Sequence, residues 1–297
     1  PMSLVELAAI AASAAVAAIA PWNACAVMNL ADSAMLPRMT MLRTSVPRPT
    51  SRNSMLLAKR KAPAKTARTA KGFGTAPPPA PPPAPPPLQT VDEHFTVSSY
   101  ELPSGEGINT IFMGAFMIED KSVCDGLVAL CDGHADLLPG IVGRGGRAIV
   151  DLNTKDSMEM SFEPHDGRLE WRRYVTALQA VTKRYVERYP YAANHVGAWG
   201  LSSSTNYQYY PPGGGYKTYH TERISRQEPS ASRHLVFMTY LNDVTDEGGT
   251  QFHHQNVTVQ PRKGLTLVWP SDWTFMHRGI SSQTQEKRIM TGWFNFA

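Results

Sequence analysis

A histidine followed two positions later by Asp or Glu occurs twice in this chain, against roughly one occurrence expected by chance. His134-Ala135-Asp136 closes a predicted helix, where residues two apart point about 200° away from each other and cannot chelate one ion. His220-Thr221-Glu222 falls in a predicted strand, where residues two apart leave from one face. Those two can share an ion, although an ordinary exposed strand pair looks the same in isolation. Fifty-seven residues beyond His220, the stretch Phe275-Met276-His277-Arg278-Gly279 offers a third donor, and ten residues past His277 stands Lys287. Two imidazoles and one carboxylate, with coordination positions left open, form the donor set of a non-haem Fe(II) centre that handles O2. A cation one strand beyond the distal histidine can hold the far carboxylate of a dicarboxylic co-substrate through a charge-assisted hydrogen bond.

These residues need a scaffold, and the second half of the chain suggests one. From residue 203 the apolar period is two. Short runs rich in Tyr, Val, Thr, Phe and Trp occupy 205–210, 216–222, 233–242, 256–260, 264–269 and 286–295. Turn signals separate them: Pro211-Pro212-Gly213-Gly214-Gly215, Asp246-Glu247-Gly248-Gly249 and Pro261-Arg262-Lys263-Gly264. Many short strands at this spacing predict a β-sandwich or barrel. Upstream, the spacing predicts helices over 120–138 (Val123, Leu127, Val128, Cys131, Leu138) and 167–188 (Trp171, Tyr174, Val175, Leu178, Val181, Tyr185). Helices first and strands after imply helices packed on one outer face of the sheet. Cys124 and Cys131 share a helix face but sit too far apart to bridge, so they read as buried free thiols.

Other residues have simpler explanations. His253 and His254 are adjacent, so they cannot both ligate one ion from a strand and read as surface or loop residues. Trp171, Trp199, Trp269 and Trp273 read as core or rim aromatics. Lys155-Asp156-Ser157 suits either a turn or the rim of the site. Asn256-Val257-Thr258 is a chance-level glycosylation sequon.

The first ninety residues differ in kind. They hold 15 of the 24 prolines and 10 of the 29 basic residues, but only 2 of the 25 acidic ones. The formal +4 of the chain is therefore +8 in residues 1–90 and −4 in the remainder. That division argues against a nucleic-acid partner for the folded body, because polyanion affinity needs clustered cations. Three cysteines exclude a disulfide-built scaffold. Residues 3–20 are apolar and Ala-rich and precede Ala24-Cys25-Ala26, the pattern of a secretory signal, with an uncleaved membrane anchor as the alternative. The implied location is the secretory pathway or ER lumen. Residues 38–71 carry ten Lys/Arg and no acid, which suits either a transit segment, hence a bipartite plastid leader, or a basic disordered linker. Residues 77–87 read PPPAPPPAPPP, a composition that favours polyproline II and serves as a spacer. The expected organisation is a leader and basic segment over 1–76, a Pro-rich linker over 77–90 and a catalytic domain over 91–297.

Residues 205–297 resemble the iron- and 2-oxoglutarate-dependent dioxygenases of the prolyl 4-hydroxylase type. The shared elements are Tyr-Pro-Pro-Gly ahead of His-x-Glu, Thr239-Tyr240-Leu241-Asn242, Gly248-Gly249-Thr250-Gln251-Phe252, Pro261-Arg262-Lys263-Gly264, the distal His277 and a basic final strand ending in Gly-Trp-Phe. The resemblance implies an α+β, mainly β fold: a double-stranded β-helix (jelly roll) core over about 203–297 with N-terminal support helices. It implies His220, Glu222 and His277 as ligands of Fe(II). It implies Lys287, six residues before Trp293, for the distal carboxylate of 2-oxoglutarate, and strand parity sends the neighbouring Arg288 the other way. Tyr240 corresponds to a partner of the same carboxylate and Tyr210 to a residue lining the co-substrate pocket. The family usually has Asp where Glu222 stands, so the longer side chain must fold back to reach the metal. A carboxylate there argues against a halogenase. The implied reaction hydroxylates a C–H bond, most directly of a peptidyl proline, with 2-oxoglutarate and O2 as co-substrates and ascorbate as an accessory reductant. A small-molecule oxygenase or a non-catalytic jelly-roll binding protein are the alternatives. Oligomeric state leaves no trace in the sequence.

Overall fold

The computed structural model describes residues 88–297, Gly145 and Gly146 excepted. The expected leader, basic segment and proline run lie outside these residues. The chain divides into two units, Pro1–Pro85 and Pro86–Ala297, and the second holds every element below. Among the described residues no helix is long and apolar enough to cross a membrane.

The first part of the domain comprises β1 (Val97–Ser99), β2 (Gly114–Ile118), α1 (Ser122–Cys131), β3 (Leu138–Pro139), β4 (Val142–Arg144), β5 (Arg147–Ile149), β6 (Lys155–Asp156), β7 (Met158–Phe162) and α2 (Leu169–Arg188). The strand-rich part follows with β8 (Trp199–Gly200), β9 (Thr205–Tyr210), β10 (Gly215–Tyr216), β11 (Arg233–Tyr240) and β12 (Thr250–Phe252). It ends with β13 (Val257–Val259), β14 (Leu265–Pro270), β15 (His277–Gly279) and β16 (Lys287–Phe296). The main antiparallel sheet runs β1-β2-β14-β11-β16-β9-β7-β3, and β8 adds to the end of β16. A smaller sheet, β13-β12-β15, supplies the opposite wall.

Period-two alternation puts the two faces of the main sheet to different uses. Inner residues Val236, Met238, Tyr240, Leu265, Leu267, Trp269 and Ile289 pack with Phe252, Val257 and Val259 of the smaller sheet into one buried cluster. This two-sheet core is the jelly-roll arrangement, as expected. The outer face carries the helices. α2 buries Trp171, Tyr174, Val175, Leu178, Val181 and Tyr185, the stripe that its spacing predicts. The Tyr174 hydroxyl lies 2.9 Å from Thr239 Oγ1, which lies 2.8 Å from Thr266 Oγ1. These contacts tie the helix to β11 and β14.

Two expectations need correction. The first helix stops at Cys131 rather than 138, because Asp132 is extended and Gly133 takes φ +73°, a left-handed conformation that ends helices. Asp132 instead accepts hydrogen bonds from Tyr207 and Arg288, and Leu138 lies exposed on β3. The strand expected over 216–222 is regular only at Gly215–Tyr216, and His220 forms an isolated bridge with His277. Cys124 and Cys131 are buried free thiols as expected, and burial pushes both pKa values up to about 12.

Gly292 sits on the outer face of β16, where an added Cβ would come within 2.6 Å of Phe237 Cζ and 2.8 Å of Thr205 Oγ1. Phe237 is fully buried against Phe294, at a ring separation of 5.0 Å. The ring has no free space to move into. Gly292→Ala should therefore destabilise the domain by about 1–3 kcal/mol, read as a lowered midpoint in urea denaturation; an unchanged midpoint would show that the helix–sheet seam can relax.

Candidate metal and anion site

The site starts from a pair of backbone hydrogen bonds. His220 N–H donates to His277 O and His277 N–H donates to His220 O, both at 2.9 Å. This bridge sets the imidazoles side by side, with ring centroids 4.4 Å apart. Each Nδ1 faces a carbonyl: Thr218 O at 3.0 Å for His220 and Phe275 O at 2.9 Å for His277. A carbonyl can only accept, so each Nδ1 carries the proton and each Nε2 presents a lone pair. Both Nε2 atoms lie 3.5 Å from one oxygen, Glu222 Oε1. The three donor atoms fall within 4.8 Å of one another. Three electron-pair donors converging on one point favour a cation there, and this donor set suits Fe(II).

The carboxylate is held from behind. Trp293 Nε1–H donates to Glu222 Oε2 at 3.0 Å. Arg233 Nη1 donates to Glu222 O at 2.7 Å and lies 3.3 Å from Oε2. The guanidinium also stacks 3.7 Å from the centroid of the Trp293 ring. Oε2 is thus engaged and Oε1 is turned to the imidazoles, which answers how the longer glutamate folds back. Burial pushes the Glu222 carboxyl up; in the ion-free site imidazoles carrying a second proton, on Nε2, outweigh it and hold it well below the usual range, and a bound cation would take the place of those protons. Burial, and then the neighbouring His220, draw the His277 pKa below its ordinary 6.5.

On the other side of His220, Tyr216 stacks parallel to the imidazole at 3.8 Å. Lys155 Nζ stands 5.4 Å from the Tyr216 ring centroid and pairs with Glu159 at 2.5 Å. Lys155 therefore belongs to β6 and to the wall behind the site, not to an exposed turn.

Deeper on the inner face lies Lys287, 4% exposed. Its ammonium donates to Gly248 O at 2.8 Å, lies 3.5 Å from Ile280 O and stands 5.0 Å from the Tyr210 ring centroid. Burial alone lowers its pKa to about 8. A buried cation surrounded by carbonyls and a π face is electrostatically short of an anion. Arg288 points the opposite way and pairs with Asp132 at 2.7 Å, as strand parity requires. Tyr210 is buried beside Lys287, and its hydroxyl donates to Gln208 Oε1. Tyr240 is also on the inner face, but its hydroxyl is turned to Thr250 Oγ1 at 2.7 Å and Val259 O at 3.1 Å. His253 and His254 are exposed in the turn between β12 and β13. His134 and Asp136 are exposed, with no shared ion geometry beyond a 3.7 Å contact.

Sequence reasoning did not find the roles of Trp293, Arg233 and Tyr216. Trp293 had a signal: its even offset from Lys287 puts it on the same face of β16. Arg233 had none, because an irregular loop separates it from Glu222.

Residues 205–295 match the family model of the 2OG-Fe(II) oxygenase superfamily. A search of curated proteins finds no match. Among solved structures, the chain is similar to a prolyl hydroxylase of Trichoplax adhaerens in complex with a hypoxia inducible factor oxygen degradation domain peptide fragment. That pair is 15% identical over 63% of this chain and 85% of the other, with a TM-score of 0.50. It is also similar to a Pseudomonas putida prolyl-4-hydroxylase (19% identity, 62% and 92% coverage, TM-score 0.48). A viral collagen prolyl hydroxylase from Paramecium Bursaria Chlorella virus-1 gives 17% identity, 63% and 97% coverage and a TM-score of 0.47. At 15% identity the likeness to the Trichoplax adhaerens structure concerns the fold alone. The matched residues make up about a third of the chain, and the match points to the 2-oxoglutarate-dependent dioxygenases as the enzyme class.

Lys287 yields a signed pH prediction. Its folded pKa of about 8 lies below the ordinary 10.5. Above about pH 8 the folded protein therefore holds fewer protons than the unfolded chain, and stability rises with pH. Thermal denaturation without co-substrate should show this gain from about pH 8 to pH 10, where buried tyrosines such as Tyr240 begin to oppose it. Lys287→Met should abolish the gain and be the more stable protein at neutral pH. An identical pH slope in the variant would contradict a desolvated ammonium.

Proposed function

We propose that His220, Glu222 and His277 hold Fe(II), that Lys287 holds the distal carboxylate of 2-oxoglutarate, and that the enzyme hydroxylates a C–H bond of a peptidyl proline. The observation that supports this most is the convergence of the two lone-pair-bearing Nε2 atoms on Glu222 Oε1, with a buried, carboxylate-free ammonium in the same core. The bound metal supplies O2 activation coupled to oxidative decarboxylation of the co-substrate. The chain's own residues do the rest. Trp293 and Arg233 orient the carboxylate, Tyr216 packs on one ligand ring, and Lys287 with Tyr210 receives the co-substrate at its far end. Inner-face apolar side chains keep bulk water from the reacting atoms. Ascorbate would serve as an accessory reductant. The peptidyl substrate rests on the prolyl hydroxylases among the similar structures and on the family resemblance of the motifs.

The purified chain, given Fe(II), 2-oxoglutarate and ascorbate, should form succinate slowly, and faster with proline-rich peptides. His277→Ala should fall to the buffer blank. Succinate formed equally by that variant would overturn the assignment, whereas stimulation by metabolites and by no peptide would move the substrate to small molecules. A second test concerns the clamp. Trp293→Phe removes the donor to Oε2 and should weaken Mn(II) binding by roughly tenfold, measured by titration with paramagnetic detection; unaltered affinity would mean the clamp does not orient the carboxylate.

A further inference from the structure

The proline run before the domain and a row of four rings, three exposed and Tyr219 half-buried with Arg278 over its ring, have no part in the reaction. Tyr219, His253, His254 and Trp273 form that row, with successive centroid separations of 5.3, 4.9 and 5.8 Å. Both histidines are exposed and Trp273 is 66% exposed, which is unusual for so large an aromatic. The row borders the triad in the chain: Tyr219 precedes His220, His253 follows Phe252, whose ring lies 5.5 Å from His277, and Trp273 opens the turn leading to His277. Polyproline II segments dock on aromatic-lined surfaces, where rings meet pyrrolidine faces without desolvating a hydrogen-bonded backbone. At about 9 Å per turn, these separations limit the row to less than two turns of such a helix.

The chain supplies a matching peptide. Residues 77–87 are nine prolines and two alanines, spanning about 34 Å as polyproline II. The residues that follow are pinned to the helix side of the domain. Val91 N–H donates to Thr176 Oγ1 at 3.1 Å, and Arg172 donates to Thr90 O at 2.7 Å, both on α2. α2 covers the outer face of the main sheet, and the triad lies on the inner side. Thr90 and Val91 are thus held on the side of the sheet away from the triad, which favours a second copy as the source of a run that meets the row.

We propose that the row Tyr219–His253–His254–Trp273 receives residues 77–87 of a second copy and that prolines in this run are hydroxylated there, in trans. The inference rests on the prolyl hydroxylase reading above. The chemistry balances with the co-substrates already assigned. One atom of O2 becomes the hydroxyl at a proline C–H, and the other enters the carboxylate of succinate as CO2 leaves. Two electrons come from the C–H bond and two from 2-oxoglutarate.

The test mixes full-length wild type with full-length His277→Ala in the presence of Fe(II), 2-oxoglutarate and ascorbate, and follows residues 77–87 of each chain by mass spectrometry. Gains of one oxygen mass in the His277→Ala chain, only when wild type is present, are expected. Gains confined to the wild-type chain would overturn transfer between copies. No gain in either chain, while external proline peptides are hydroxylated, would overturn the inference and leave the function standing. No consumption of 2-oxoglutarate under any condition would overturn both. For the free peptide PPPAPPPAPPP, Trp273→Ala should raise KM about fivefold, and Trp273→Phe should restore it. A wild-type KM in Trp273→Ala would remove the row from the account.

Discussion

Two reciprocal hydrogen bonds between His220 and His277 carry more consequence than any other contact in the domain. They join an irregular segment after β10 to the first residue of β15, across the wall built by the smaller sheet. Without them, two imidazoles 57 positions apart have no reason to share a direction. With them, each ring needs only its Nδ1–carbonyl contact to fix the tautomer, and both lone pairs then face inward. Glu222 lies two residues past the same bridge, and its Oε1 comes within 3.5 Å of both Nε2 atoms. The clamp of Trp293 and Arg233 selects which carboxylate oxygen points in.

The second constraint is electrostatic. Among the described residues Lys287 has no carboxylate partner, and its burial as a cation costs the folded protein stability in the absence of an anion. A structure tuned only for stability would place an apolar residue there, as its neighbours Ile289 and Met290 illustrate. Arg288 shows the alternative in the next position: it faces the helices and is paired with Asp132 and Glu286. One strand thus carries a carboxylate-paired cation on the outer face and, on the inner face, a cation bonded only to neutral groups. The proposed function assigns this ammonium to the far carboxylate of the keto acid whose other end meets the donor cluster.

Much of this was legible beforehand, and the reasons are physical. β9, β11, β14 and β16 are long enough for period-two alternation to show, so Lys287 and Arg288 could be assigned to opposite faces. α2 displayed its buried stripe through 3.6-residue spacing. The helix ending at Cys131 was overextended because the apolar spacing continues past Gly133, whose backbone turns the chain away. His220 and Glu222 were identified by type and offset, although the strand around them is reduced to one bridge. Arg233 could not be foreseen, since its contact with Glu222 crosses ten residues without periodicity. Tyr240 shows the opposite limit: its place on the inner face was readable, but the direction of its hydroxyl depends on Thr250, a residue from another strand.

The central claim is that one divalent ion is shared by three side chains next to an anion-binding ammonium. Crystals of the full chain soaked with Mn(II) and 2-oxoglutarate would test it through an anomalous difference map. The account predicts a single peak bonded to His220 Nε2, Glu222 Oε1 and His277 Nε2, with the co-substrate's far carboxylate at Lys287 Nζ. A peak that leaves out Glu222, or a co-substrate bound away from Lys287, would contradict it.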